Sequence, residues 1–143
     1  MYAISPAVRK TLGAALVAFA MILFSLPALA AGDKAQVLSK EGIGSYLADS
    51  KGMTLYIFTK DSPGVSVCSG DCLVKWPAYA ADKVEPGAGL NAKDFGVIKR
   101  ADGSPQATFR GAPLYYFFKD QKPGDTSGQG VNEVWYVVNP AKK

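Results

Sequence analysis

Two stretches of the chain repeat each other: Gly52-Met-Thr-Leu-Tyr-Ile-Phe-Thr-Lys-Asp61 and Gly111-Ala-Pro-Leu-Tyr-Tyr-Phe-Phe-Lys-Asp120. They lie 59 residues apart and share Gly, Leu, Tyr, Phe, Lys and Asp at the same places. The same offset, without a gap, also pairs Gly44-Ser45 with Gly103-Ser104, Ala48 with Ala107 and Trp76 with Trp135. Ten identities over residues 44–76 predict a duplicated unit, with one copy at about 42–79 and the other at about 101–138.

Each copy has the pattern of a β-hairpin. Short runs of β-branched and aromatic residues, bounded by glycine and aspartate, are typical of such hairpins. The runs and their turns are 43–49, Gly52 and 53–58 in the first copy, and 106–109, Arg110-Gly111 and 113–118 in the second. In the first copy Tyr56 and Phe58 alternate with Leu55 and Ile57, so we expect the two rings to share one face of a strand.

The remaining segments add little helix. We predict further strands at 95–100 and 134–138, a helical turn at 71–75 capped by Ser69, loops at 80–93 and 121–130, and frayed ends at 31–39 and 141–143. The sequence therefore predicts a single all-β domain over residues 31–143. Its two pseudo-symmetric hairpin repeats are expected to close into a compact sandwich or barrel.

Residues 1–30 have the layout of a secretory signal peptide. Arg9 and Lys10 precede an apolar run at 12–26, and Ala28 and Ala30 form a small-x-small cleavage pattern. The run is shorter than the ~20 residues of a membrane-spanning helix. We expect cleavage after Ala30, no stable membrane span afterwards, and a periplasmic or secreted protein.

Charge and composition exclude several functions. The chain of 143 residues contains no histidine, which excludes Ser-His-Asp and Cys-His catalysis and histidine-ligated metals. Its net charge of +4 falls to +2 once Arg9 and Lys10 are removed. Because no Lys/Arg cluster remains, we expect no nucleic-acid partner.

The repeated motif resembles a family of small bacterial secreted proteins and lipoproteins, described as a secreted repeat of unknown function. The family's Tyr-x-aromatic-x-x-Asp motif stands here at residues 56–61 and 115–120. The accompanying pattern also is similar, with Cys68 and Cys72 before Trp76 in the first copy, and Trp135 in the second. The resemblance implies a bacterial envelope protein and brings no established activity. Many members carry a lipid-anchor cysteine that this chain lacks.

Cys68 and Cys72 are the chain's two cysteines. They are four positions apart, and we expect the compartment to be oxidising. This predicts a local disulfide that fixes the segment before Trp76. The alternative is a thiol-redox or copper(I) site, for which Met53 is the candidate third soft ligand. The absent histidine weakens that alternative.

Asp61 and Asp120 end the two motifs, where carboxylates usually accept backbone N–H groups of the following loop. A cation site would combine Asp61 with Asp71, or Asp120 with Asp125. Neither spacing matches a calcium-binding loop, so we predict no metal site and no cofactor. The carboxylates match no hydrolase pattern, and we assign no catalytic residue.

Aromatic residues recur between the copies and have two interpretations. They fill the core of a small β-domain, or they form a flat surface for a glycan, a peptide or a hydrophobic ligand. With the two aspartates, they make up the candidate binding surface: Tyr56, Phe58, Asp61, Trp76, Tyr115, Phe117, Asp120 and Trp135.

The function that we predict is a non-enzymatic accessory or binding module of the cell envelope. Its partner is an unidentified envelope protein, glycan or small ligand. The first alternative is a periplasmic redox or copper(I)-handling protein that uses Cys68 and Cys72. The second is a hydrolase of envelope glycans or peptides that uses carboxylates.

Overall fold

The computed structural model describes Gly13 and residues 33–143. The predicted signal peptide therefore lies outside the described residues, except for Gly13. The described residues form β1 (Asp33–Lys40), β2 (Gly44–Ala48), β3 (Tyr56–Phe58), α1 (Asp71–Lys75), β4 (Val84–Pro86), β5 (Phe95–Lys99), β6 (Pro105–Phe109), β7 (Ala112–Pro113) and β8 (Trp135–Val137), with 3₁₀ turns at Ala92–Asp94 and Val131–Glu133.

The strands of the described residues pair in three small sheets, ordered β2-β1-β4, β3-β8 and β5-β6-β7. The predicted all-β class with minimal helix is confirmed. A closed barrel is not: within residues 33–143 no sheet returns to its first strand. Closure needs a continuous ladder of paired strands, whereas β3, β4, β7 and β8 are at most three residues long.

The two repeats are intertwined. β1 and β2 form an antiparallel hairpin in the first copy, and β5 and β6 form its counterpart in the second. Each hairpin then donates a backbone hydrogen bond to the other copy: the Leu47 N–H donates to the Val138 carbonyl at 2.9 Å, and the Ala107 N–H donates to the Tyr79 carbonyl at 2.9 Å. β3 of the first copy likewise pairs with β8 of the second.

The gap-free alignment of the two copies is wrong by one residue before the turn. Ala48 bridges to Thr54, whereas Thr108 pairs with Pro113. Since Thr54 and Pro113 are 59 positions apart, the counterpart of Ala48 is Thr108 and not Ala107. The turn of the first copy therefore has one residue more than that of the second. The second copy turns tightly on Arg110 and Gly111, with φ of 49° and 84°.

Three local predictions also need correction. Residues 33–40 are not frayed but form β1, whose Ala35 is fully buried. The loop at 80–93 contains β4, which runs parallel to the start of β1. Ser69 does not cap α1; Gly70 stands at the N-cap without a side-chain bond. β1 and β4 form by pairing with segments that are distant in sequence. The start of α1 is set by the backbone alone.

The first motif segment contributes side chains to two hydrophobic clusters, one on each of its faces. Leu55 and Ile57 pack in one cluster, with Leu47, Phe109 and Leu114 among its other members. Tyr56 and Phe58 pack in the other, which is dominated by aromatic rings. The predicted alternation of faces along β3 is therefore what the structure shows, and the aromatic side holds the candidate residues.

Candidate functional site

The motif tyrosines meet at the centre of the molecule. The Tyr56 N–H donates to the Tyr115 carbonyl at 2.8 Å, and the Tyr115 N–H donates to the Tyr56 carbonyl at 2.9 Å. Both side chains are fully buried. The two repeats therefore contact each other through equivalent residues around a local pseudo-two-fold axis.

Each tyrosine hydroxyl then reaches the aspartate of the other copy. The Tyr56 hydroxyl donates to Asp120 Oδ2 at 2.6 Å, and the Tyr115 hydroxyl donates to Asp61 Oδ2 at 2.6 Å. A short bond from a hydroxyl to a carboxylate is among the stronger protein hydrogen bonds. The Tyr-x-aromatic-x-x-Asp pattern is thus a reciprocal clasp, in which neither copy satisfies its own tyrosine.

The remaining carboxylate oxygens are used by the loops that follow. Asp61 Oδ1 accepts the Val67 N–H at 2.8 Å, and Asp120 Oδ1 accepts the Ser127 N–H at 2.9 Å. This is the loop-anchoring role that the sequence predicts for aspartates at strand ends. Both carboxylates are occupied by internal donors.

Burial and the carboxylates shift the tyrosine titrations. Burial, with the bond to Asp61, raises the pKa of Tyr115 from its ordinary value of 10.0 to about 12. The pKa of Tyr56 is raised for the same reasons, by burial first and then by its bond to Asp120. Burial also raises the pKa of Asp120, against the opposing effect of the Tyr56 hydroxyl. The clasp therefore favours the protonated tyrosines.

Four aromatic rings form a continuous stack between the copies. Trp76 and Trp135 are parallel, with centroids 3.8 Å apart. Phe58 stacks on Trp135 and Phe117 stacks on Trp76, each at 4.2 Å. Each phenylalanine therefore packs on the tryptophan of the other copy, which repeats the exchange made by the tyrosines and aspartates.

The structure brings all eight candidate residues together, with six of them buried in the core and with Phe58 and Asp61 half-buried. Tyr56, Trp76, Tyr115 and Trp135 are at most 4% exposed, and Phe117 is 7% exposed. Phe58 is half-buried. The flat aromatic binding surface is therefore wrong for these rings, because cross-copy stacking uses their faces.

Cys68 and Cys72 are joined by a disulfide, with Cα atoms 5.4 Å apart. Cys68 is buried against the aromatic cluster. Its carbonyl accepts a bond from Arg100 at 2.6 Å, and the same guanidinium reaches Ser66 and Gln106. Both sulfurs are thus bonded to each other beside Trp76, so neither is a thiolate in this structure.

No group of three or more His, Cys, Asp and Glu side chains within residues 33–143 is placed to hold a metal ion. Asp125, proposed as a partner of Asp120, accepts the N–H groups of Gln121 and Lys122 instead. Asp71 lies in the first turn of α1 and is exposed.

Sequence reasoning missed Gly128, which packs directly against the Tyr56 side chain. Its N–H donates to the Tyr56 hydroxyl at 3.1 Å. A Cβ at this position would lie 2.7 Å from the Tyr56 ring and 2.9 Å from Trp76. A glycine inside the polar loop at 121–130 gives no signal of this close approach. Arg100 was missed as well, because its partners Ser66 and Cys68 are distant in sequence.

A groove opens on the other side of β3, away from the aromatic cluster, with a volume of about 400 Å³. Its apolar lining comes from both copies: Ile43, Ile57, Phe109, Ala112, Val137 and Val138. Its polar and amphipathic lining is Arg110, Gln129, Tyr136, Asn139 and Lys142. The groove could not be predicted from the sequence, since these residues are scattered and follow no motif.

The groove is a departure from the pseudo-symmetry. Ile57 and Val138 correspond to Tyr116 and Tyr79 at the 59-residue offset. Those tyrosines pack edge-to-face, with centroids 5.6 Å apart, and the Tyr116 hydroxyl donates to Asp49 at 2.7 Å. Two larger rings therefore stand where the groove has two aliphatic side chains.

The fold and the clasp define a class of protein: a duplicated all-β module whose copies exchange tyrosine–aspartate pairs. The sequence model described as a secreted repeat of unknown function matches the chain twice, over residues 38–80 and 96–139. The chain belongs to this family of secreted repeat proteins, and the predicted periplasmic or secreted location is confirmed. No curated protein and no solved structure matches the chain. Within the described part of the chain, no helix has the length and apolar character needed to cross a membrane.

Tyr56→Phe is expected to lower the free energy of unfolding by about 1.5–3 kcal/mol, because it leaves a buried carboxylate oxygen of Asp120 without its donor. The measurement is chemical denaturation at neutral pH. The control is Tyr136→Phe, whose hydroxyl bonds to the exposed Glu133 carbonyl and whose loss should cost under about 0.5 kcal/mol. Equal losses for the two variants would contradict the clasp.

Alkaline pH should destabilise the fold through Tyr115. Its folded-state pKa of about 12 exceeds the ordinary 10.0, so above pH 10 the unfolded chain loses this proton first. The stabilising contribution is complete below pH 10 and is lost as pH rises towards 12. Unfolding curves at several pH values should show a steeper loss for the parent protein than for Tyr115→Phe. The same pH slope for both would refute this account of Tyr115.

Proposed function

We propose that the protein is a non-enzymatic binding module of the bacterial cell envelope, and that its ligand is a small apolar molecule held in the groove. The observation that carries the proposal is the groove itself, which opens between aliphatic side chains of both copies. Its volume of about 400 Å³ lies in the range of small-molecule sites. This volume favours a small molecule as the ligand over an envelope protein or a glycan.

The asymmetry of the groove supports this function. A duplicated module that needed only a stable core would tolerate the tyrosine pair of Tyr79 and Tyr116 at both equivalent places. Ile57 and Val138 leave open space instead, at a position where the fold has room for larger rings. Open apolar space on a folded protein is typically associated with binding.

The alternatives receive less support from the site. For a redox or copper(I) protein, the sulfurs of Cys68 and Cys72 would have to be accessible thiolates. Burial of Cys68 and its place beside Trp76 favour a structural disulfide. For a hydrolase, two carboxylates would have to face one pocket. Asp61 and Asp120 instead hold tyrosines and loop N–H groups.

The proposal predicts that Ala112→Trp weakens binding of the uncharged apolar dye Nile red, because the indole fills the groove beside Phe109. Fluorescence titration of the purified protein gives the affinity and the stoichiometry. The parent protein should bind one dye molecule, and Ala112→Trp should lower the affinity by about tenfold or more.

The matched control is Val74→Trp, which adds the same ring to an exposed position of α1 away from the groove. This variant should bind the dye as the parent protein does. Loss of binding in both variants, or in neither, would contradict a ligand site in the groove. Circular dichroism of both variants checks that the fold is retained.

A further inference from the structure

We infer that the ligand of the groove is a single amphipathic carboxylate of the fatty-acid type, with its chain on the aliphatic floor and its anionic group at the polar rim. The inference rests on the proposed function and adds the chemical class of the ligand. Three observations carry it: the apolar floor, the hydrogen-bonding state of the rim, and the charges beside it.

The floor of the groove offers contacts for a hydrocarbon chain. Ile57 and Ala112 are half-buried there, and Phe109 and Val138 are almost fully buried beneath them. None of these side chains carries a polar group. Burial of an alkyl chain against them removes apolar surface from water on both partners, which is the main favourable contribution to such binding.

The rim offers donors, because its side-chain acceptors are already used. Gln129 Oε1 accepts the Val137 N–H at 2.7 Å, and Asn139 Oδ1 accepts the Ala141 N–H at 2.9 Å. These bonds fix the amide orientations and leave Nε2 of Gln129 and Nδ2 of Asn139 as donors. The Tyr136 hydroxyl already donates its proton to the Glu133 carbonyl at 3.0 Å.

The charge at the rim is positive. Arg110 and Lys142 line the groove, and among the described residues none of those that line it is acidic. Arg110 is held in place by the carbonyls of Pro140 and Lys142 and by Asp94 at 3.3 Å, a carboxylate outside the lining. Asp94 offsets part of that charge. The Lys142 ammonium has no bond among residues 33–143, so a carboxylate is the complementary group.

One ligand molecule, and not a membrane surface, fits these features. The groove of about 400 Å³ accommodates one chain. Binding to anionic membranes needs a cluster of several Lys or Arg side chains, whereas within residues 33–143 the rim has two, Arg110 and Lys142. The site therefore selects a free amphiphile by one anionic group and one apolar chain.

The test measures binding of decanoate, decanol and decyltrimethylammonium to the purified protein by isothermal titration calorimetry. Decanoate should bind about tenfold or more tighter than decanol, and the cation should bind most weakly. Lys142→Gln should lower the affinity for decanoate and leave that for decanol unchanged. Lys83→Gln, the counterpart at the 59-residue offset, lies outside the groove and is the matched control.

The outcomes separate the two proposals. If decanol and decanoate bind equally, and Ala112→Trp blocks both, the groove is a ligand site but the carboxylate preference is overturned. If no amphiphile binds, or if Ala112→Trp changes nothing, the proposed function itself fails. Sedimentation with phosphatidylglycerol vesicles is the remaining arm: binding to vesicles that Lys142→Gln abolishes would overturn the free carboxylate in favour of a membrane surface.

Discussion

The tyrosine hydroxyl of each repeat donates to the aspartate of the other, and the architecture depends on this exchange. Tyr56 binds Asp120 and Tyr115 binds Asp61, each at 2.6 Å. A single repeat would bury a tyrosine and leave a strand-end carboxylate without its donor, at a cost that a small β-unit cannot offset. Each repeat therefore needs a second copy to complete its tyrosine–aspartate bonds. The stacked rings and the backbone hydrogen bonds likewise join residues of one copy to residues of the other.

Departures from the pseudo-symmetry show where the two copies have different roles. The first copy has the disulfide of Cys68 and Cys72, which anchors the segment before Trp76. The second copy has the tight turn at Arg110 and supplies most of the groove lining, from Phe109 of β6 to Lys142. The clasp, which both copies share, thus leaves one face open, and the proposed ligand site lies where the symmetry is broken.

Much of the fold could be predicted from the sequence, because the informative contacts repeat. The two motifs predicted the all-β class, the second hairpin at β6 and β7, and the different faces of Leu55 and Tyr56 along β3. The first predicted hairpin, 43–49 with 53–58, is reduced to an isolated bridge between Ala48 and Thr54, because β3 pairs with β8. The one-residue shift at Ala48 could not be predicted, because the gap-free offset gives three chance identities before the turn. β1 was missed, because its mainly polar sequence becomes a strand only by pairing with β2 and β4.

The sequence predicted which residues of the candidate site lie together, but not that most of them are buried. The residues of the motif do lie together, but periodicity cannot distinguish a ring that faces solvent from one that faces another ring of a distant copy. The groove depends on Gln129, Asn139 and Lys142, which are ordinary surface residues in the sequence. Only the three-dimensional arrangement shows that the amide oxygens of Gln129 and Asn139 are used as acceptors, while their amide nitrogens and the Lys142 ammonium remain as donors.

Double-mutant cycles test the reciprocal clasp most directly. Tyr56→Phe is combined with Asp120→Asn in one cycle and with Asp61→Asn in the other, and the free energy of unfolding is measured for every variant. The exchange predicts a coupling energy of about 1–3 kcal/mol for Tyr56 with Asp120 and under about 0.5 kcal/mol for Tyr56 with Asp61. Coupling within the same copy, or none across the copies, would contradict it.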